Sequence, residues 1–197
     1  FQYSGFDKKV DYLLSLVGRH QAHNAGLALT VMQLLLPQLM RRVDMLDAAL
    51  YQGLRETVWP GRMEAVPNRG DWWIDGAHNP HGAAVLRAAL DALYPGWPIT
   101  FVLGILADKD RAGILQTLVR KTDRVIVVPV QSERAAAPQL IAQEIRTEKA
   151  PVAVNDMREG LALAAQETGP VCIAGSLYLI GEVRKYLWLD KQKGNDV

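Results

Sequence analysis

The sequence predicts a doubly wound α/β domain, with a mostly parallel sheet and helices on both faces, from about residue 62 onward. The first observation is an alternation: from Asp71, short apolar runs take turns with stretches that have apolar residues at helical spacing. The second is that the runs are almost continuously apolar, as in parallel strands buried on both faces. Composition agrees, because 49% of the residues are hydrophobic and 22% charged, enough to bury a sizeable core.

The elements follow in order along this part of the chain. "MEAVP" predicts an edge strand, and a last helix is predicted over Leu177–Leu189. The other strands are predicted at "WWID", "ITFVLGIL", "RVIVVPV", "PVAV" and "PVCIAG". The helices between them are predicted at "HGAAVLRAALDALY", "DRAGILQTLVRKT", "APQLIAQEIRTE" and "MREGLALAAQETG".

The first sixty residues differ from the rest. "KVDYLLSLVG" alternates as a strand, with Val10, Tyr12, Leu14 and Leu16 on one face. Two helices are predicted over 24–36 and 38–53, with a break at Pro37. One or two strands and two helices do not make a domain, so this region is interpreted as the tail of a preceding one, with "WPGR" as the junction. The chain is expected to be a piece of something longer.

Charge and cysteine content exclude several classes of function. The formal net charge of +1 gives no electrostatic reason to expect nucleic acid or an anionic membrane as a partner. No apolar run approaches the length of a membrane span, and no signal peptide is recognisable. The one cysteine, Cys172, lies in an apolar run, which indicates a buried side chain in a reducing, cytoplasmic compartment.

The stretch "WIDGAHNPHG" concentrates polar chemistry at the end of a predicted strand. Asp75, His78 and Asn79 lie within it, just before the helix that begins near Pro80. One interpretation is a turn in which Asn79 caps the helix. The other is a ligand site, because open α/β sheets bind ligands beyond the carboxyl ends of their strands.

Two other patterns bear on metal and phosphate binding. The histidines form two pairs, His20 with His23 and His78 with His81, a spacing that zinc sites use but that also occurs where histidines flank a helix start. No metal ligand is therefore assigned. The phosphate-loop patterns GxxxxGK[ST] and GxGxxG are both absent, so the chain does not cradle a triphosphate by itself.

Five motifs occur in an order that matches one family. "GRHQAHNAGLAL", "WPGRMEAV", "WIDGAHNPHG", "GILADKD" and "AGSLYLIGEVR" together resemble the C-terminal portion of folylpolyglutamate synthase and of the bifunctional dihydrofolate synthase–folylpolyglutamate synthase, in the Mur ligase superfamily. Each motif alone is weak, but five in order over nearly the whole chain are specific. Other Mur ligases usually have Asp-Tyr-Ala-His where this chain has Asp75-Gly76-Ala77-His78.

The resemblance implies an architecture and a reaction. Residues 1–61 would be the tail of a central ATPase domain, and residues 62–197 a Rossmann-like C-terminal, glutamate-ligase domain. The reaction implied is the ATP-dependent addition of L-glutamate to folate through an acyl phosphate; whether dihydropteroate is also a substrate stays open. ATP and Mg²⁺ would take part. The phosphate loop and the magnesium ligands would lie in the N-terminal part of the same ATPase domain, which would be the partner of this chain.

The resemblance also implies roles for single residues. Asn24 would hydrogen-bond the nucleotide base, although it could instead cap a helix. Arg62 would reach the ATP phosphates, the alternative being a surface arginine in a turn. Asp75 would contact ATP, and the ribose is the sensible partner because a carboxylate repels phosphates. His78, the candidate catalytic residue, would lie between the ATP and glutamate sites. Ser176 would help bind glutamate at a helix start, or act only as a cap.

The remaining polar residues give weaker indications. Asp108 and Lys109 match the family pattern without an assigned role, and Arg134 follows a strand where it could line the cleft. Glu182 and Arg184 are predicted to form a solvated helix face. Two alternatives to the folate ligase remain: another Mur-type amino-acid ligase, and a non-catalytic Rossmann-like nucleotide-binding module.

Overall fold

A computed structural model of the chain describes residues 1–5, 8–39 and 46–189. The chain divides into two compact units, of which the first is Phe1–Pro60 and the second begins at Gly61.

The first unit is a small hairpin with two helices. Its elements are β1 (Gln2–Gly5), β2 (Lys8–Asp11), α1 (Arg19–Leu39) and α2 (Leu46–Glu56). β1 and β2 are antiparallel. Tyr3, Tyr12 and Leu29 form the buried cluster of this unit.

The predicted strand at "KVDYLLSLVG" is wrong in extent. β2 ends at Asp11, because its ladder with β1 runs only from the Gly5–Lys8 pair to the Gln2–Asp11 pair. An alternating pattern gives a strand only where a neighbouring strand supplies the hydrogen bonds. Beyond Asp11, Tyr12 still exchanges two backbone hydrogen bonds with Phe1, at 2.8 and 2.9 Å, and is buried as the alternation predicts. Farther along, Ser15 donates to Leu54 of α2 at 3.4 Å rather than to a neighbouring strand.

The predicted break at Pro37 is also wrong. α1 begins at Arg19, directly after Gly18 with its positive φ of 108°, and passes through Pro37 to end at Leu39. A proline removes one N–H donor and crowds the preceding turn. The described part of α1 nevertheless continues through Pro37 to Leu39.

The second unit contains a six-stranded sheet and five helices among the described residues. Its strands are β3 (Glu64–Ala65), β4 (Trp72–Ile74), β5 (Thr100–Leu103), β6 (Arg124–Val127), β7 (Val152–Ala153) and β8 (Val171–Ala174). Its helices are α3 (Pro80–Leu93), α4 (Arg111–Leu118), α5 (Pro138–Glu144), α6 (Met157–Ala164) and α7 (Leu177–Leu189).

The sheet order confirms the predicted α/β class. The strands lie in the order β3-β4-β8-β5-β6-β7, and all neighbours are parallel except the short edge strand β3. Successive residues of β5 face opposite sides. The guanidinium of Arg87 in α3 lies 5.9 Å from the ring of Phe101, whereas Val102 belongs to the cluster that includes Leu161 of α6 and Leu179 of α7. Helices therefore cover both faces.

Side-chain caps set the starts of three helices. Asn79 accepts a hydrogen bond from the backbone N–H of Gly82 at 2.7 Å, at the start of α3. Asp110 caps α4 and Asp156 caps α6 in the same way. These residues occupy the positions where an oxygen side chain satisfies a free helical N–H. α4, α5 and α6 end earlier than the apolar pattern predicts, at Leu118, Glu144 and Ala164.

Cys172 lies in the middle of β8 and is fully buried with a free thiol. Burial raises its pKa well above the usual range, and the nearby Asp75 carboxylate adds to the effect. In the part of the chain that the structure describes, no helix is both long and apolar enough to cross a membrane.

Candidate functional site

The carboxyl edge of the sheet brings the ends of β4 and β8 together. The two strands are parallel with Ile74 opposite Ile173. Beyond them, the backbone N–H of Asp75 donates to the carbonyl oxygen of Ile173 at 3.0 Å, and that of Gly175 donates to Ala77 at 3.0 Å. Asp75 and Ser176 therefore leave the sheet at the same edge, on adjacent strands.

The Asp75 carboxylate is buried and binds backbone. Its Oδ1 accepts from the N–H of Ala77 at 2.8 Å, and its Oδ2 accepts from the N–H of Met63 at 2.9 Å. Met63 is itself buried and has a positive φ of 43°, an uncommon backbone conformation for a side chain of its size. Asp75, which the resemblance assigns to ATP, thus connects its own loop to the segment after Gly61.

Arg62 lies against the same loop. Its Nη1 donates to the carbonyl oxygen of Gly61 at 3.1 Å, and that oxygen also accepts from the N–H of Gly76 at 2.8 Å. A Cβ at Gly76 would come within 2.4 Å of Nη1 of Arg62 and 2.6 Å of Cδ2 of Leu177. Glycine is therefore required at position 76 for the guanidinium to lie where it does. The side chain is partly exposed, and its other N–H groups can reach a ligand.

His78 is oriented by the loop that contains it. Its Nδ1 lies 2.7 Å from the carbonyl oxygen of Gly76. A carbonyl only accepts, so Nδ1 carries the proton and Nε2 has the free lone pair in the neutral ring. The side chain is partly buried, whereas His81 is exposed.

Ser176 is buried at the start of α7. Its Oγ accepts from the backbone N–H of Tyr178 at 3.1 Å, so the serine caps the helix. This contact is the helix cap that the alternative interpretation of Ser176 predicts. Because Oγ is the acceptor in it, the hydroxyl proton can still be donated to a ligand. Leu177 and Tyr178, the next two residues, are half exposed, and Cδ2 of Leu177 lies against Gly76 of the loop.

Asn24 lies in the first unit, whereas the residues described above lie in the second. It is exposed and lies inside α1, where its Nδ2 donates to Oε1 of Gln21 at 3.0 Å. The interpretation of Asn24 as a helix cap is therefore wrong. The role at the nucleotide base stays a prediction.

Asp108 and Arg134 pair with each other. The guanidinium of Arg134 binds the carboxylate of Asp108 and lowers its pKa. The loops that carry them are joined by a hydrogen bond from Ala107 N to Arg134 O at 2.7 Å. Lys109 lines an open cavity of about 630 Å³ between α4 and α5, in which Arg111 is already paired with Glu144 at 2.8 Å.

The predicted solvated face at Glu182 and Arg184 is wrong. Arg184 binds the carboxylate of Glu64 in β3, with Nε 3.0 and 3.1 Å from its two oxygens. Glu182 is partly buried, and its Oε2 has no hydrogen-bond partner among the described residues. Burial raises its pKa, with a further contribution from the Asp156 carboxylate. α7 packs on a face of the sheet and reaches the edge strand β3 through Arg184, which the pattern of a single helix does not reveal.

Glu64 is the residue of this region that the sequence did not single out. Besides binding Arg184, its Oε2 accepts from the backbone N–H of Gly61 at 2.8 Å. The only available signal was its position two residues after Arg62, inside a short predicted edge strand.

The two histidine pairs lie in different units of the chain. His20 and His23 lie in the first unit, and His78 and His81 in the second. No group of three or more His, Cys, Asp or Glu side chains that could hold a metal ion occurs within residues 1–5, 8–39 and 46–189.

Comparison with known families identifies the second unit. Residues 62–187 match the family model described as dihydrofolate synthetase, C-terminal domain. Among curated proteins, folylpolyglutamate synthase of Lacticaseibacillus casei is 32% identical over 190 residues, which are 95% of this chain and 43% of that protein. Dihydrofolate synthase/folylpolyglutamate synthase of Bacillus subtilis is 28% identical over 90% of this chain and 41% of its own length.

Solved structures give the same result. Folylpolyglutamate synthase of Mycobacterium tuberculosis, in complex with ADP and AMPPCP, superposes with a TM-score of 0.78 at 27% identity, over 95% of this chain and 47% of that one. The bifunctional enzyme of Yersinia pestis, in complex with AMPPNP and a Mn ion, has a TM-score of 0.79 at 25% identity, over 94% and 43%. The chain thus spans less than half the length of these relatives, and the resemblance predicted from its five motifs is confirmed.

Proposed function

Because this chain belongs to the family of dihydrofolate synthetase C-terminal domains, we propose that it is the C-terminal part of an ATP-dependent ligase that adds L-glutamate to folate. The observation that carries the proposal is the shared carboxyl edge, where Arg62, the Asp75–His78 loop and Ser176 converge within a domain of this family. Dihydropteroate is the second acceptor to be tested, since relatives carry both activities in their names.

The proposed reaction has two steps. The folate carboxylate attacks the γ-phosphorus of ATP, which gives an acyl phosphate and releases ADP. The amine of glutamate then attacks the acyl carbon, and inorganic phosphate leaves as the amide forms. The first step needs cationic donors around the transferring phosphoryl group, and the second needs an oriented, unprotonated amine.

Arg62 suits the first step. Its planar guanidinium presents several N–H donors in a fixed arrangement that matches phosphate oxygens. Among the residues that the structure describes, Arg62 is hydrogen-bonded only through Nη1, to the carbonyl oxygen of Gly61. Asp75 supports this arrangement through the N–H of Met63, and its carboxylate is proposed to contact the ribose of ATP.

His78 suits the second step. With the proton on Nδ1 held by Gly76, the free Nε2 of the neutral ring accepts a proton from the glutamate amine as it attacks. Ser176 supplies the start of α7, where free N–H groups and the helix dipole favour a glutamate carboxylate.

Other parts of the proposal concern what accompanies this domain. Residues 1–61 are proposed as the tail of an ATPase domain and residues 62–197 as the glutamate-ligase domain; the division at Gly61 supports this. The exposed apolar residues Leu27, Val31, Leu34 and Leu35 of α1 offer a surface for the rest of that domain. Asn24 is proposed to reach the nucleotide base from the ATPase side.

The metal proposed is Mg²⁺, bound with ATP and held by ligands in the ATPase domain; the relative solved with AMPPNP and a Mn ion supports a divalent metal. The free thiol of Cys172 is in keeping with the proposed cytoplasmic setting.

The test is a ligation assay on the full-length protein. With ATP, Mg²⁺ and labelled glutamate, tetrahydrofolate or dihydropteroate should become labelled, and ADP should be released in equal amount. Omission of ATP and the variant Arg62→Gln are the matched controls, and both should reduce incorporation. A preference for another amino acid would place the protein among the other Mur-type ligases. Nucleotide binding without any ligation would make it a binding module.

A further inference from the structure

The segment that contains Arg62 is fixed at each end by a carboxylate. At its start, the N–H of Gly61 donates to Oε2 of Glu64 at 2.8 Å; at its end, the N–H of Met63 donates to Oδ2 of Asp75 at 2.9 Å. Gly61 is buried, has a positive φ of 69°, and a Cβ there would come within 2.5 Å of Cδ1 of Ile180. The backbone on both sides of Arg62 is therefore tightly constrained.

Glu64 is in turn fixed by Arg184. Nε of Arg184 contacts both carboxylate oxygens of Glu64, at 3.0 and 3.1 Å. The guanidinium of Arg184 also lies over the ring of Trp188, 5.4 Å from its centroid. The Glu64 side chain is 15% exposed, so this ion pair is shielded on one side. α7 thus determines where the carboxylate that binds Gly61 lies.

We propose that Glu64 and Arg184 are positioning residues, which hold the Gly61–Glu64 segment so that the Arg62 guanidinium points at the ATP phosphates. The inference rests on the proposed function, in which Arg62 contacts ATP. Without Glu64, the N–H of Gly61 would lose its acceptor, and the carbonyl oxygen of Gly61 would be held from one side only. That oxygen binds both Nη1 of Arg62 and the N–H of Gly76.

The physical reason is that an arginine side chain has many rotamers, and phosphate binding requires one of them. Fixing the backbone and one N–H group lowers the entropy lost when ATP binds. It also keeps the other N–H groups on the path of the transferring phosphoryl group, where a misplacement of about 1 Å costs up to roughly a hundredfold in rate. Positioning residues of this kind support functional groups through their own hydrogen bonds.

The alternative is an ordinary ion pair that contributes only to folding. A second pair provides the matched control: Nε of Arg124 lies 3.0 Å from Oε1 of Glu167, and both side chains are also partly buried. Arg124 is the first residue of β6, so this pair lies at the amino edge of the sheet, away from the candidate site. A purely structural role predicts the same behaviour for both pairs.

The experiment uses the full-length enzyme and measures ATP and glutamate kinetics separately, together with direct binding of ADP. Glu64→Ala and Arg184→Ala should raise the KM for ATP by roughly tenfold, weaken ADP binding similarly, and leave the KM for glutamate unchanged. Glu64→Gln, which keeps an acceptor for Gly61, should fall between Glu64→Ala and the wild type. Glu167→Ala should change thermal stability and neither KM.

A double-mutant cycle with Arg62→Ala decides how Glu64 acts. If Glu64 works through Arg62, adding Glu64→Ala to Arg62→Ala should have no further effect on the KM for ATP. Additive effects, or equal changes in Glu64→Ala and Glu167→Ala, would overturn the proposal. A wild-type enzyme without ligase activity would instead refute the proposed function. The same double-mutant cycle, measured by ADP binding, would then still show whether Glu64 acts through Arg62.

Discussion

Nδ1 of His78 lies 2.7 Å from the carbonyl oxygen of Gly76, two residues earlier in the same loop. The contact fixes both the ring orientation and the tautomer, because the carbonyl accepts the Nδ1 proton and leaves Nε2 as the free base. Gly76 is also the residue against which Arg62 lies. Gly76 therefore has two roles. Its carbonyl oxygen orients the imidazole of His78, and its lack of a Cβ leaves room for the guanidinium of Arg62.

The first prediction concerns the replacement of His78 in the intact enzyme. His78→Ala should raise the KM for glutamate by roughly tenfold to a hundredfold, because a hydrogen bond to the incoming amine is lost, and should change the KM for ATP less. It should also lower kcat, because the attacking amine loses its proton acceptor. Steady-state kinetics with each substrate varied in turn measure both KM values and kcat. His81→Ala is the matched control, since His81 is exposed in the first turn of α3 and should leave both constants unchanged. Equal effects of the two variants would remove His78 from the site.

The second prediction separates two roles of Asp75. Asp75→Ala leaves the N–H groups of Met63 and Ala77 without their acceptor, so it should lower the free energy of unfolding by about 1–3 kcal/mol. It should also raise the KM for ATP, because Arg62 loses its support and any ribose contact is removed. Denaturant unfolding and ATP kinetics measure the two effects. A variant with unchanged stability would contradict the hydrogen bonds described above.

The third prediction concerns the buried charges beneath α3. Arg87 binds Asp91 and Asp123, each at 2.7 Å, and Asp123 also accepts from the N–H of Ile99 at 2.8 Å. Arg87→Met would leave the buried Asp123 carboxylate without its cation, which should cost about 3–5 kcal/mol of unfolding free energy. Denaturant unfolding measures it. Lys149→Met, which removes an exposed contact to Glu167, is the control and should cost no more than about 1 kcal/mol.

The fold was largely predictable and the side-chain contacts were not. The apolar runs predict the strands because each is buried on both faces, as at Val102 and Ile173. The ends of the elements depended on caps and neighbours: α1 starts after Gly18 rather than at Asn24, and β2 ends where its partner does. Such features depend on contacts between segments, which a local pattern does not contain.

The same distinction holds for the candidate site: the motifs predict which residues belong to it, but not the contacts that hold them. The motifs selected Arg62, Asp75, His78 and Ser176, and the structure places them in one unit at one edge of the sheet. Glu64 was missed because its contacts are not visible in a local pattern. Gly61 contributes only a backbone N–H, and Arg184 lies 120 residues away along the chain. Arg184 was assigned to solvent for the same reason.

The fourth prediction is a pH dependence at Glu182. Burial and Asp156 raise the pKa of this carboxyl above its ordinary value of 4.5, so the folded protein binds the proton more tightly than the unfolded chain. The stability it contributes is therefore present below pH 4.5 and is lost as the pH rises through the raised pKa. Glu182→Gln should match the wild type at low pH and exceed it at neutral pH, by about 1 kcal/mol or less because the group is partly solvated.

Thermal unfolding from pH 4 to pH 8 measures this dependence. Glu133→Gln, at an exposed glutamate in the loop before α5, serves as the control for removing a carboxylate. A Glu182→Gln curve parallel to the wild type would show that the unpaired Oε2 is solvated.

The last prediction is that residues 1–197 on their own do not ligate glutamate. Phosphoryl transfer depends on a phosphate loop and a metal to neutralise the charge on the transferring group, and the sequence contains no phosphate-loop pattern. Asn24, Arg62 and Asp75 would supply only part of a nucleotide site, so ATP affinity should be weak. Incubation of the purified 197-residue chain with ATP, Mg²⁺, tetrahydrofolate and labelled glutamate should give no incorporation above background. The full-length protein, assayed beside it, is the positive control. Robust ligation by the shorter chain would mean that the ATP site lies within these residues, and the assignment of phosphate and metal binding to a separate ATPase domain would have to be abandoned.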